Sequence, residues 1–236
     1  MRIAIVGAGR AGTSFSSALS RRGHHVELVH HDELERIGSV DLVLLAVPDD
    51  AITTTAARLP VEPARVVAHV AGSRSLAVLA PHPRVASIHP LITMPSDDVG
   101  AERLIGATFA VAGDPLVREL VASLGGRARS LRDEQRTAYH ATATVAANHL
   151  VALLAHVEHL AEHAGMSLED FLPLARMALE DVAERGVHRA LTGPASRSDL
   201  ATIDAHLGAI PARERATYVA LAQVALDVAG ASRSLA

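Results

Sequence analysis

Short apolar runs alternate with helical patterns through the first half of the chain, and from Asp133 onward only helical patterns remain. The runs Ile3–Val6, Val26–Val29, Asp41–Val47, Val66–Val70, Val85–Ile88 and Thr108–Ala112 have the length and near-continuous apolar character of strands buried in a parallel sheet, and a short strand is predicted near Ser130-Leu131. Between them, Phe15, Ala18 and Leu19 mark a helix that ends at Gly23, and a second helix starts at Ala51, where an Asp after Pro48 is placed to cap it. A further helix covers Pro115–Leu124. Residues 92–106 are polar, carry Pro95, Asp97, Asp98 and Gly100, and read as a mobile loop.

The second half predicts one unusually long helix from about Glu134 to His163, with Leu150, Leu153, Leu154, Val157, Leu160 and Ala161 forming its apolar stripe. Leu168–Arg185 and Pro211–Val228 are the next long helices, and the turn-rich stretch Leu191–Asp199 leads into a short helix carrying His206. The predicted architecture is an α/β, parallel-sheet domain over residues 1–132 followed by an all-helical domain over 133–236, with a cleft between them.

The first strand runs directly into Gly7-x-Gly9-x-x-Gly12 and then into a helix, and a second strand closes the βαβ unit. In that context each glycine has a physical task. Gly7 makes the tight turn, Gly9 lets the backbone approach a pyrophosphate, and Gly12 lets the helix pack on the strand. Free N–H groups at the helix start then face phosphates. This is the pattern of a Rossmann unit, and it makes Gly7, Ala8, Gly9, Arg10, Ala11 and Gly12 candidates for holding NAD or NADP. After the second strand comes His30-His31-Asp32. An acidic residue in this region receives the ribose hydroxyls of NAD, whereas His30 and His31 either meet a 2′-phosphate or are simply solvated, so the cofactor preference stays open. Only about ten residues lead on to the next strand, which leaves the adenine side trimmed. Val47-Pro48 and Gly72 fall at carboxyl ends of strands, the edge at which open α/β sheets bind ligands. His89 ends its strand at the same edge, either as a site residue or as a partner completing a loop's hydrogen bonds.

Composition narrows the chemistry. Apolar residues make up 49% of the 236 residues, enough for a sizeable core, but aromatics only 2%, so Ala, Val and Leu do the packing. There is no cysteine, hence no disulfide and no thiolate nucleophile. All 22 basic residues are arginine, which excludes Schiff-base, P-loop and general-acid lysines. A net charge of −4 without a basic tract argues against nucleic acid as a partner. The chain opens on a core strand and has no apolar run of membrane-spanning length, so a cytoplasmic protein with no membrane partner is expected.

On the long helix His140, Thr144 and Asn148 recur every four residues and share a face away from the apolar stripe. His140 can exchange a proton with a substrate carbonyl and Asn148 can hold its oxygen; the alternative is an ordinary polar face or a subunit interface. His149, His156, His159 and His163 read as a solvated rim flanked by Glu158 and Glu162, and no metal is expected there. Arg197 can fork onto a substrate carboxylate or a phosphate, and Asp199 either holds that guanidinium or caps the following helix.

Several segments resemble a known family. Gly7–Gly12, Asp41–Asp49, Ser87-Ile-His-Pro-Leu91, Tyr139-His-Ala-Thr-Ala, Ala147–Leu153 and Leu191-Thr-Gly-Pro-Ala, with Arg197, Asp199, Thr202 and His206, are similar to Rossmann-like proteins carrying a C-terminal domain of unknown function 2520. These are relatives of the 6-phosphogluconate dehydrogenase, ketopantoate reductase and pyrroline-carboxylate reductase group. The resemblance implies an NAD(P)-dependent oxidoreductase whose 6-phosphogluconate-dehydrogenase-like helical domain forms a homodimer, and it points to His89, His140, Asn148 and Arg197. It supplies no substrate. Ser198 stands where the family commonly has glycine, and no Ser-Arg follows the second strand. The expected activity is hydride transfer to or from a small carbonyl or imine acid, with Arg197 as the expected partner of its carboxylate. The alternative is a dinucleotide-sensing or scaffold protein that has kept the fold without catalysis.

Overall fold

The computed structural model describes residues 1–230. The chain divides into two compact units, Met1–Ala147 and Asn148–Ala236. The textural change read at Asp133 lies earlier, because the first helix after the sheet belongs to the first unit.

In the first unit seven strands, β1 (Arg2–Val6), β2 (His25–Val29), β3 (Leu42–Leu45), β4 (Val66–His69), β5 (Val85–Pro90), β6 (Thr108–Gly113) and β7 (Arg127–Ser130), form one sheet in the order β2-β1-β3-β4-β5-β6-β7. All neighbours are parallel except β5 and β6. It is the parallel Rossmann-type sheet expected, with one antiparallel pair near its far edge. Alternate residues of each strand feed opposite cores, as the two-residue strand period requires. Ile3, Ile5, Leu42, Leu44, Val66 and Ala68 meet Phe15, Ala18 and Leu19 of α1 (Arg10–Arg21) on one face. Ala4, Val6, Val43, Leu45 and Val67 meet Ile52 and Ala56 of α2 (Ile52–Arg58) on the other. Between β2 and β3 there is only a 3-10 turn, Leu34–Arg36, as the short spacing foretold.

Four local expectations are corrected. The stretch 92–106 contains α3 (Asp97–Leu104). Asp97 and Asp98 suit the positive end of a helix. Gly100, read as a loop residue, is the point where α3 meets α1: a Cβ there would lie 2.1 Å from Ser14 Oγ. The Asp after Pro48 does not cap α2, because the chain makes a turn over Asp49–Ala51 first and α2 begins without a side-chain cap. The strand read as ending at Ile88 continues to Pro90, since β6 pairs with it through His89↔Ala110 and Pro90↔Phe109. His89 therefore sits on a strand, not in a loop. After α4 (Leu116–Ser123) and β7, the predicted long helix is broken into a 3-10 turn (Asp133–Gln135), α5 (Arg136–Thr144), a π-helical turn (Val145–His149) and α6 (Leu150–His163). The wider π turn changes the angular step per residue, so a spacing of four does not carry the same meaning through Asn148 as before it.

The second unit is all helical: α6, α7 (Leu168–Arg185), α8 (Val187–Ala190), α9 (Gly193–Ser196), α10 (Leu200–Ala209) and α11 (Arg215–Val228). Its core is small, centred on Ala195, Ile203 and Leu226. Asp199 caps α10, accepting from the Thr202 amide at 3.1 Å and the Thr202 hydroxyl at 2.7 Å. Ser198 has φ 53°, the left-handed conformation that glycine adopts without strain. The rim reading of the helix histidines fails at His156, which is buried and bound through Nδ1 to Glu214 Oε2 at 2.7 Å. His159 lies 3.3 Å from the other oxygen of the same carboxylate. Glu214, distant in sequence on the turn before α11, converts part of the rim into a buried polar seam.

Candidate functional site in the first unit

The strand order reverses between β1 and β3, the topological switch point at which such sheets bind ligands. Three glycines shape the turn there. Gly7 has φ +108°, and a Cβ on it would lie 2.6 Å from the Ala46 carbonyl oxygen. A Cβ on Gly12 would fall 1.8 Å from the Gly7 carbonyl oxygen, so only glycine lets α1 start this close to the turn. Gly9 faces open space, with nothing within 4 Å of a Cβ position. The first intrahelical bond of α1 runs from Thr13 N to Gly9 O, leaving the amides of Arg10, Ala11 and Gly12 without helical partners. An open glycine beside unpaired amides is the donor set a pyrophosphate requires.

Two pockets meet at this turn. One of about 490 Å³ is lined by Gly9, Arg10, Ala11, Val47, Pro48 and His89, with Phe15, Ile92 and Met94 among its apolar walls. The other, of about 460 Å³, is lined by Gly7, Ala8, Gly9, His30, His31, Val47 and Pro48. They share Gly9, Ala46, Val47 and Pro48, so one ligand crossing the glycine turn could occupy both. His30 and His31 flank Asp32, with nitrogen–oxygen distances of 3.3 and 3.0 Å. All three side chains are exposed and bring their donor atoms within 4.8 Å of one another.

The wall of the larger pocket carries the unusual chemistry. His89 Nδ1 lies 2.6 Å from Tyr139 Oη, the two rings meeting edge to face at 87°. The His140 ring stands 6.3 Å from that of His89. Gly72 is buried beneath both: a Cβ there would come within 3.0 Å of His140 and 3.1 Å of His89. Burial, reinforced by nearby His140, lowers the His89 pKa to about 4, and burial pushes Tyr139 up to about 12. Below them Arg136, 2% exposed, binds Asp133 Oδ1 at 2.6 Å and Ser87 Oγ at 2.8 Å. Next to this guanidinium lies His69, fully buried, also lowered to about 4 by desolvation and by Arg136. Asp49, freed from capping, accepts from Ser73 Oγ at 2.8 Å.

The sequence-predicted residues thus separate. Gly7, Ala8, Gly9, Arg10, Ala11, His30, Val47, Pro48 and His89 line the two pockets, Gly12 packs under the turn, and Gly72 and His140 adjoin His89. Asn148 and Arg197 belong to the second unit and are exposed. Sequence reasoning gave no role to Tyr139, Arg136 or His69. A signal existed for the first: the chain has only two tyrosines, and both hold a histidine Nδ1 at 2.6 Å, the second pair being Tyr218 and His206.

Fold and site together define a Rossmann-type α/β domain with a ligand turn of dinucleotide-binding form, followed by a helical domain. The model of the domain of unknown function DUF2520 matches residues 106–225, just over half of the chain, and the chain belongs to that family. No curated protein matches it in sequence. Among solved structures it is similar to a Bacteroides fragilis protein titled "putative NADP oxidoreductase" (TM-score 0.77, 21% identity, covering 96% of this chain and 98% of that one). It is also similar to 1-pyrroline-5-carboxylate reductase from Streptococcus pyogenes (0.63, 17%, 97% and 98%). A third is the reductive aminase from Aspergillus terreus in complex with NADPH4, cyclohexanone and allyl amine (0.63, 18%, 96% and 93%).

The buried neutral histidines make stability depend on pH. His69 and His89 bind protons in the unfolded chain near pH 6.5 but in the folded one only near 4, so folding is favoured above 6.5 and loses free energy as pH falls to 4, by on the order of 3 kcal/mol for each. Chemical denaturation between pH 7 and 4 should show that decline, and His69→Leu should flatten it. A variant profile parallel to that of the wild type would contradict the assignment.

Proposed function

We propose that the protein is a nicotinamide-dependent reductase or dehydrogenase acting on a small carbonyl or imine compound. The observation that carries this reading is the pair of pockets joined across Gly9 and Pro48 at the switch point, one of them walled by His89. Similar folds in proteins titled as an NADP oxidoreductase, a pyrroline-carboxylate reductase and a reductive aminase support it. The division of labour proposed is residues 1–132 for NAD or NADP and 133–236 for substrate contacts and self-association.

A bound dinucleotide would supply or accept the hydride. The chain's own part is to hold and move a proton. As the substrate carbon gains its C–H bond, the π electrons move to oxygen or nitrogen, and that atom takes a proton from His140; in oxidation the same imidazole receives it. The assignment follows from the two rings' contrast. A proton on one opposes a proton on the other, and burial makes His89 the ring that stays neutral. On the second unit, Arg197 is the group proposed for a substrate carboxylate and Asn148 for a carbonyl oxygen. The short 3-10 turn after β2 favours one alternative, a protein that senses a dinucleotide without turnover.

The helical unit supports the homodimer. Along the 18-residue α7 no residue is buried, and Leu174, Met177 and Leu179 are each more than half exposed, an apolar surface of the kind that marks an interface.

Two measurements test these proposals. With a panel of keto and imino acids and both reduced cofactors, His140→Ala should lower kcat by roughly 10²-fold or more while leaving the melting temperature in place. Unchanged turnover would remove His140 from the chemistry, and cofactor binding with no turnover of any substrate would favour the sensor. Light scattering on the purified protein should give twice the chain mass, and Leu174→Glu should halve it; a wild-type monomer at micromolar concentration would end the dimer proposal.

A further inference from the structure

We infer that Tyr139 is a positioning residue that fixes the tautomer of His89, so that this histidine offers the larger pocket a neutral Nε2–H donor and not a basic nitrogen. The argument starts from hydrogen-bond inventory. A tyrosine has one hydrogen to give, a neutral imidazole has one N–H and one lone pair, and the two side chains meet at a single contact, Tyr139 Oη to His89 Nδ1 at 2.6 Å. Tyr139 stays protonated, because burial moves its titration to about 12. Among the described residues no other acceptor for its hydrogen is found, so the hydroxyl donates to Nδ1. That nitrogen must then be the lone-pair nitrogen, and the ring hydrogen resides on Nε2.

Surroundings hold the arrangement. The edge-to-face contact at 87° and the buried Gly72 against the ring restrict its rotation. The charged and titratable groups facing His89 are Tyr139, His140 and Arg136 from α5 and Asp49 from the turn after β3. Arg136 and His140 oppose a second proton on the ring and outweigh the pull of Asp49 together with burial. His89 lines the larger pocket, and Nε2 has no partner among the described residues, so its donor is left for a ligand.

The consequence rests on the oxidoreductase reading. A neutral N–H aimed at the reacting oxygen or nitrogen stabilises the negative charge that develops there, without itself losing a proton. His89 and His140 would then divide the work, the first as fixed donor and the second as proton carrier.

The tautomer can be read without any activity. Long-range proton–nitrogen correlation spectra of protein labelled at histidine nitrogens separate the two neutral tautomers, and His89→Gln assigns the signal by its loss. The expected result is the Nε2–H pattern for His89, unprotonated from pH 5 to 9, collapsing to a tautomer mixture in Tyr139→Phe. An Nδ1–H pattern in the wild type, a wild-type mixture, or a pattern unmoved by Tyr139→Phe would overturn the inference. If the variant does not fold, the wild-type pattern alone decides. Because this readout needs no dinucleotide, it stands apart from the catalytic reading, whose own failure would appear as absent cofactor binding. Where turnover is found, Tyr139→Phe should lower kcat by roughly 10²-fold, the cost of losing one fixed hydrogen-bond donor at the developing charge, with dinucleotide affinity unchanged.

Discussion

Of the glycines in the first unit, Gly12 leaves the least room for a side chain, where α1 starts against the turn that follows β1. There the missing side chain of Gly12 makes room for the Gly7 carbonyl, only 1.8 Å from where a Cβ would stand. Everything at the switch point depends on that contact. It seats the helix end at the sheet's carboxyl edge, leaves the amides of Arg10 and Ala11 facing outward, and lets Gly9 present bare backbone to the space shared by two pockets. A side chain at Gly12 would push the helix off the strand, and the site would lose its floor before it lost any reactive group.

A second constraint is electrostatic. Arg136 is buried with its charge met on one side by Asp133 and by the Ser87 hydroxyl. The imidazoles of His69 and His89 stay neutral chiefly because they are buried, and the nearby Arg136 charge adds to the effect. Burial thus determines which of these rings can carry a proton, and a cation buried beside them reinforces it. The inner ring, His89, is thereby held in a single protonation state. Stability at low pH and the proposed division between donor and proton carrier rest on that same burial.

The strands and the glycine turn were legible because their causes are local. Continuous apolar runs have one reading between turn signals, and the roles of Gly7, Gly9 and Gly12 follow from backbone geometry within a dozen residues. Helix α3 was not legible, since Gly100 and two aspartates resemble a loop until Ser14, far away in sequence, supplies the contact that makes glycine necessary. The π turn at Val145–His149 left no composition signature, which is why Asn148 was assigned by a spacing argument that the helix does not maintain. The same holds for hydrogen-bonded pairs across long separations. Tyr139 with His89, Arg136 with Ser87 and Glu214 with His156 each join residues about fifty positions apart. Periodicity locates the elements carrying such groups, and only tertiary packing decides which of them meet.

The central claim is that the Gly9 turn receives a nicotinamide dinucleotide. Gly9 is the position to test because its backbone is extended, with φ −77°, and a side chain there would meet nothing within 4 Å, so Gly9→Asp leaves the fold intact while placing a negative charge where the pyrophosphate would lie. The measurement is a parallel fluorescence titration of wild type and Gly9→Asp with NADH and NADPH. The account predicts saturable binding of at least one by the wild type and its loss in the variant at unchanged melting temperature. Equal binding by both proteins, or none by the wild type up to about millimolar, would contradict it.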